Sequence, residues 1–433
     1  MQDPRRATPR TDRLLADRRL QDATARLGPM IVKRAVNDAQ ARCRAGEISP
    51  EQVVEEAVGS LPVATTSMRR VINATGVVVH TNLGRAVLGE SAVEAIRVAA
   101  GATDVELDLA TGERGTRGQG ALAALARAVP GAGDVHVVNN GAAALALAGC
   151  ALATGRSIVV ARGELVEIGD SFRIPELLEA VGAELREVGA TNRVRLDDYA
   201  HAVDDTTAFV LKVHPSNFVI EGFTSAVPVE LLASLPVPLV ADIGSGLLAR
   251  HPRLPDEPNA ADTLRAGAAL VTASGDKLLG GPQCGLILGR ADLVQTMRRH
   301  PLARALRVDK LTLAALEATL TGPATPVVEA LARRRTDLVA RARAIVAELG
   351  DAVEGRAFDT VAAVGGGGAP GVELESGGLS LPPELAAGLR AGDPAVMGRV
   401  ERGRLVLDLI AVDPRQDAAI VEAVRWVAKQ ARS

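Results

Sequence analysis

The sequence predicts an α/β chain built around a mainly parallel sheet, and three observations predict it. Short β-branched apolar runs recur between about residues 71 and 300, helix-like stretches separate them, and glycine, aspartate and lysine gather where the runs end. The runs are DVHVVN (134–139), SIVVA (157–161), TAFVLKVH (207–214), VPLVADIG (237–244), LVTASG (270–275) and CGLILG (284–289). Between them lie stretches such as GAAALALAGCALA and IPELLEAVGA. Runs without polar alternation suit strands covered by helices on both faces, and such sheets bind ligands beyond the carboxyl ends of their strands.

Three helical patterns precede this region. TDRLLADRRLQDATARL (11–27) carries a stripe of Leu14, Leu15, Leu20, Ala23 and Leu27 and reads as one helix. A second begins at Pro29, repeats Ile31, Val32, Ala35, Val36, Ala39 and Cys43, and stops at Gly46. A third opens on Ser49-Pro50-Glu51-Gln52, a capping-box pattern. The expected division is a helical domain over 1–62, a linker over 63–70, a large α/β domain over 71–314 and a smaller α+β domain over 315–433. The last contains a long helical run, VVEALARRRTDLVARARAIVAELG, a flexible VGGGGAPG (364–371), a hairpin turning near Arg402-Gly403 and a terminal helix.

With 433 residues, 47% of them apolar, the chain can bury two or three cores. No run of about 18 uncharged apolar residues occurs and the start lacks a signal-peptide pattern, so a cytoplasmic protein is expected. Cys43, Cys150 and Cys284 are widely spaced and read as small core residues; no paired His or Cys spacing supports a metal. Residues 1–44 hold eleven basic and five acidic groups on a chain of net charge −3, which leaves the remainder acidic. A basic arm fits a polyanionic partner such as nucleic acid, and it equally fits a solvated helix surface.

Only five of the 49 basic residues are lysines, and one, Lys277, stands between an apolar run and a glycine-proline turn in SGDKLLGGPQCG. Arginine would supply charge there, whereas a desolvated lysine can lose its proton and act as a nucleophile. Two other run ends carry chemistry. In VVNNGAAALALA a run ends at Asn139-Asn140 and Gly141 opens a helix, which suits a phosphate; in VPLVADIGSG, Asp242 ends a run and can face a protonated ring nitrogen. Each has a plainer reading, respectively a structural turn, a cap at Asp242 and a surface partner for Asp276. A P-loop is excluded, since none of the lysines precedes Ser or Thr, and SGDK lacks the SDN and KTG elements of penicillin-recognising enzymes. Phosphate cradle, aspartate and lysine in that order, each at a strand end, form a constellation for pyridoxal phosphate.

The segments INATGVVVHTNLGRAVL, DLATGERGTRG, RGELVEIGDSFRIPE, KVHPSNFVIEGFT, ADIGSGLL and SGDKLLGGPQCGLILGR, with RAGDPAVMGRVERGRLVLDL, together resemble the bacterial selenocysteine synthase family, the L-seryl-tRNA(Sec) selenium transferases. The resemblance implies a fold-type I pyridoxal-phosphate transferase, assembled as a decamer of five dimers, that converts seryl-tRNA(Sec) to selenocysteinyl-tRNA(Sec) with selenophosphate as donor. It implies that Lys277 is the catalytic lysine and that Asp242 pairs with the pyridine nitrogen. Asn140, Gly141 and Ala142 match the phosphate cradle, Ser274 is expected in the same cofactor site, and Arg85, Arg304 and Arg307 match the selenophosphate arginines. Arg304 and Arg307, three apart, are expected on one helical face. The N-terminal arginines Arg13, Arg18, Arg19, Arg26, Arg34, Arg42 and Arg44 are then expected to grip tRNA. One departure stands at Ala102-Thr103-Asp104-Val105-Glu106, where relatives tend to carry a tyrosine. The rivals are an ammonia-lyase or β-eliminase of a small free amino acid, a cysteine desulfurase, and a tRNA-binding protein with a vestigial cofactor site.

Overall fold

A computed structural model describes residues 8–169 and 172–432, so the first seven residues of the expected helical domain, and Asp170 and Ser171 within RGELVEIGDSFRIPE, lie outside the described residues. The chain divides into two compact units, 1–70 and 71–433.

In the first unit the 11–27 pattern is two helices, Thr11–Leu15 and Arg18–Leu27, not one. The break has a local cause: Asp17 adopts an extended backbone and its carboxylate accepts the Arg19 N–H at 2.9 Å, capping a fresh helix. Pro29–Arg44 follows, entered through Gly28 at φ 85°, and Val53–Gly59 starts from the capping box at Ser49. Leu14, Leu20, Leu27, Val32, Val36 and Val53 form the core of this unit, joined by the buried Gln40, whose amide donates to the Pro9 carbonyl. Residues 62–70 form no helix or strand.

In the second unit a seven-stranded sheet runs in the order Asp134–Val138, Gly285–Gly289, Leu270–Ser274, Leu239–Gly244, Thr207–Val213, Ser157–Ala161, Glu184–Val188. Gly285–Gly289 is antiparallel to both neighbours and the other pairings are parallel. All six expected runs are strands of this sheet. The seventh, ELREV at the edge, was not expected, because its charged residues suit a border strand exposed on one side and break the apolar signature. Packed between sheet and surface, Gly141–Ala153 is buried almost all round, which its apolar composition allows.

A smaller five-stranded sheet runs Arg399–Glu401, Arg404–Asp408, Glu373–Leu381, Arg356–Gly365, Val77–Val79. The hairpin expected near Arg402-Gly403 is present, both residues having positive φ. Two expectations are corrected here. Val71–Asn73 and Val77–Val79, placed with the large domain, pair instead with 395–397 and with Arg356–Gly365, and Ile72, Ala74, Val78 and Val79 join the small lobe's core. A three-residue strand carries no record of its partner, which lies some 300 positions away. The long helical run is also two helices, Pro326–Ala332 and Arg335–Leu349. Arg333 and Arg334 are extended between them because the Arg333 guanidinium turns inward to the carbonyls of Leu409, Ile410 and Val412. Among the described residues no helix is long and apolar enough to cross a membrane.

Burial lowers the pKa of Arg333, with Arg341 adding to the effect, yet the side chain stays charged and satisfies three carbonyls at once. Arg333→Ala is therefore expected to destabilise the second unit by roughly 3 kcal/mol, read by denaturant unfolding, because the carbonyls of three buried residues lose their donor.

Candidate active site

Parallel strands bring their carboxyl ends to one edge of the large sheet, and the chemistry-bearing residues collect there. Asn140 lies two residues beyond the strand Asp134–Val138 and caps Gly141–Ala153: its side chain accepts the Ala143 N–H at 2.8 Å and its carbonyl accepts that of Ala144. The N–H groups of Gly141 and Ala142, at the positive end of a 13-residue helix, are left to face a ligand. Ser274 closes the cradle from the end of Leu270–Ser274. Its Oγ would lie 2.6 Å from a Cβ at position 141, so only glycine leaves this hydroxyl in place.

Asp242 lies deep in the same cleft, near the carboxyl end of Leu239–Gly244. Its Oδ1 accepts the Thr272 hydroxyl at 2.8 Å. Burial raises the Asp242 pKa, while the Thr272 hydrogen bond and the charge of Lys277 act the other way. Lys277 is buried on the turn after Leu270–Ser274, and burial lowers its pKa against the pull of Asp242. It is not a surface partner of Asp276. That carboxylate binds Arg85 instead, Nη1 to Oδ2 at 2.7 Å, and Arg85 itself sits at φ 66° in the turn after Val77–Val79. An amine that burial biases toward its neutral form, set near a carboxylate whose pKa burial raises against the Thr272 hydrogen bond, is suited to proton transfer.

Further groups that the sequence reading did not single out complete the walls. The His214 N–H donates to the Asp242 carbonyl at 2.9 Å, and its Nε2 lies 3.2 Å from Glu257 Oε2. The Lys212 Nζ donates to Glu164 at 2.7 Å, and Glu164 in turn accepts the Val213 N–H. The segment read as a flexible VGGGGAPG is packed against the site: a Cβ on Gly367 would stand 3.0 Å from the Lys277 Nζ. Gly365, Gly366 and Gly367 all have positive φ, so glycine is needed both for the backbone and for the close approach. KVHPSN carried a usable signal, a histidine at a strand's carboxyl end. Glu257 offered none, since it lies in an irregular stretch.

The arginines are less concentrated. Arg85 lines a depression with Thr81, Asp276 and Gln283, whereas Arg304 and Arg307 line another with Arg117 and His136, so one chain does not gather the three. Nor do Arg304 and Arg307 share a helical face. The helix Pro301–Ala305 ends before Arg307, which bridges to Val138 and lies 3.7 Å from Glu106. His136 in that depression has both ring nitrogens buried and unpartnered among the described residues. Of the cysteines, Cys43 and Cys284 are buried, and burial pushes the Cys284 thiol up to about 12, which makes it inert. Cys150 is a correction, being half-buried with its Sγ 3.6 Å from His300 Nε2. The arginines at 13, 18, 19, 26, 34, 42 and 44 are all exposed; Arg19 pairs with Asp17 and Glu55, and Arg42 with Glu47 and Glu56.

The cradle, the aspartate and the buried lysine define a fold-type I enzyme that holds pyridoxal phosphate, and the residues present fit that group. The family model described as L-seryl-tRNA selenium transferase matches residues 71–413, and that described as selenocysteine synthase N terminal matches residues 5–44. A curated L-seryl-tRNA(Sec) selenium transferase of Hyphomonas neptunium is 46% identical over 380 residues, covering 82% of each chain. That of Carboxydothermus hydrogenoformans is 40% identical over 439 residues, covering 94% of each. Among solved structures, a D-glucosaminate-6-phosphate ammonia-lyase superposes with a TM-score of 0.59 at 20% identity, covering 84% of this chain and 97% of its own; the likeness is one of fold. The chain belongs to the L-seryl-tRNA selenium transferase family, and with that membership it is a pyridoxal-phosphate-dependent selenium transferase.

Two outcomes follow from this geometry. Gly141→Ala is expected to displace the Ser274 hydroxyl and weaken cofactor binding about tenfold by absorbance titration, with the fold intact by circular dichroism. Burial, with Arg298 nearby, lowers the His136 pKa to about 4, so the folded protein excludes a proton that the unfolded chain binds below its ordinary value of 6.5. Stability is then lost as pH falls from 6.5 to 4, by roughly 3 kcal/mol from this residue. His136→Gln should flatten that part of the pH profile of denaturant unfolding.

Proposed function

We propose that this protein converts seryl-tRNA(Sec) to selenocysteinyl-tRNA(Sec), with Lys277 as the group that moves the proton of the seryl α-carbon. The observation that carries the reading is the buried Lys277 amine set against the Asp242 carboxylate at the strand ends. Pyridoxal phosphate, when bound, supplies an electrophilic carbonyl and an electron-accepting ring. Gly141, Ala142 and Ser274 would hold its phosphate, Lys277 its carbonyl carbon and Asp242 its ring nitrogen. Low polarity around Lys277 favours the free amine, which accepts a proton and later returns it. The buried turn that carries Lys277 also excludes water from the amine.

Selenophosphate is the selenium donor in this reading, held by Arg85, Arg304 and Arg307. Guanidinium groups keep their charge and bind tetrahedral oxyanions in pairs. Arg85 lies beside the Lys277 turn through Asp276, while Arg304 and Arg307 line a separate depression of the same chain. The donor site is therefore completed between chains, in keeping with a homodecamer of five dimers. The domain over 1–62 grips the tRNA backbone through Arg13, Arg18, Arg19, Arg26, Arg34, Arg42 and Arg44. Seryl-tRNA(Sec) is then told from free serine by its tRNA, not by its seryl group.

The visible absorbance of the holoenzyme tests this. The band is expected to change on adding seryl-tRNA(Sec), to stay unchanged with free serine or seryl-tRNA(Ser), and to vanish in Lys277→Ala. A response to free serine would overturn the tRNA-dependent reading in favour of a small-substrate lyase.

A further inference from the structure

Glu257 is the most enclosed carboxylate near the cleft and has no part in the chemistry above. Its side chain is 1% exposed. Oε2 accepts the Ala369 N–H at 2.7 Å and lies 3.2 Å from His214 Nε2, while Oε1 is buried with no partner among the described residues. For stability alone this is a poor arrangement, because a buried carboxylate with half its acceptor capacity unused is costly, and an apolar side chain would avoid the penalty. What it joins is more informative. Ala369 ends the glycine run of the small lobe, whose Gly367 abuts the Lys277 Nζ and whose Gly368 would bring a Cβ within 3.0 Å of the Ser245 Cβ. His214 holds the Asp242 carbonyl through its own N–H.

We infer that Glu257 is a positioning residue: through Ala369 it holds the glycine run Gly365–Gly368 over the catalytic amine, and through His214 it holds the strand end that carries Asp242. The run has no side chains with which to anchor itself, and three of its residues have positive φ. An unanchored glycine segment populates many backbone states. A single buried acceptor selects the one in which the small lobe closes over Lys277, so the walls of the site come from both lobes in fixed register. The inference rests on the cofactor-site reading, but its main readout does not depend on it.

Hydrogen exchange of the holoenzyme tests it, comparing the wild type with Glu257→Ala and Glu257→Gln. In Glu257→Ala, exchange across residues 365–372 is expected to rise about tenfold or more with the strand Leu270–Ser274 unaffected. The cofactor should dissociate faster, and kcat should fall with KM little changed. Glu257→Gln retains a carbonyl that can accept from Ala369 and should restore most of the protection. Unchanged exchange over 365–372 in Glu257→Ala overturns the inference, and so does a rise spread evenly over the chain, which marks general destabilisation. If Glu257→Ala does not fold, Glu257→Asp, which is too short to reach Ala369, carries the same comparison. Loss of the cofactor band in Lys277→Ala with no loop effect in the Glu257 variants would leave the site reading standing and remove this one.

Discussion

Two ionisable groups, the Lys277 amine and the Asp242 carboxylate, are held out of water within one cleft, and the rest of the second unit is arranged to make that tolerable. Burial works against the charge on each, and each charge supports the other. Neither would survive alone at such depth without heavy penalty. The sheet supplies the meeting place, since its parallel strands, with the antiparallel Gly285–Gly289 between two of them, deliver Asn140, Asp242 and Ser274 to one edge. Thr272, one strand away from Asp242, keeps a hydrogen bond on the carboxylate, and glycines at 141, 246 and 367 let backbone and helix end come close without side chains in the way.

The small lobe does more than complete the fold. Its sheet takes Val77–Val79 from before the large sheet begins, so the chain enters and leaves the catalytic region through the same lobe. That tie fixes the turn bearing Arg85, which binds the Asp276 next to Lys277, and the glycine run reaches back over the amine from the opposite end of the sequence. Arg85 and Asp276 are 191 positions apart, and Ala369 and Glu257 are 112 apart. The site is thus a product of long-range packing on a framework set by local pattern.

Cation choice follows the same division. Arginine, permanently charged, is placed on the exposed helices of the first unit and in the shallow depressions of the second, where its charge is solvated or paired. One of the five lysines, Lys277, stands where burial changes its protonation. Arg333 and Arg341 are arginines drawn inward: the Nη1 of Arg333 faces three carbonyls, and Arg341 pairs with Asp417.

Much of this was legible in the residues themselves. Six strands were readable because a strand buried on both faces needs an unbroken apolar run; the cradle and Lys277 were readable because glycine, a helix start and a rare lysine each have a local chemical meaning. The edge strand ELREV was hidden by its charges, the breaks at Ala16-Asp17 and Arg333-Arg334 by apolar periodicity continuing across them, and the partners of Val71–Val79 by brevity. Glu257 could not be ranked as a site residue, since nothing in its neighbourhood along the chain differs from an ordinary loop; the strand-end position of His214 was a readable signal, and the glycine run holding Gly367 reads as flexible until its packing against Lys277 is seen. By itself the sequence determined the class of fold and which apolar runs become strands, and it singled out Lys277 by its rarity and setting, because propensity and periodicity act between near neighbours. Only the tertiary structure decided which groups lie beside that lysine and whether its amine is dry, because burial and contact are properties of residues brought together from distant parts of the chain.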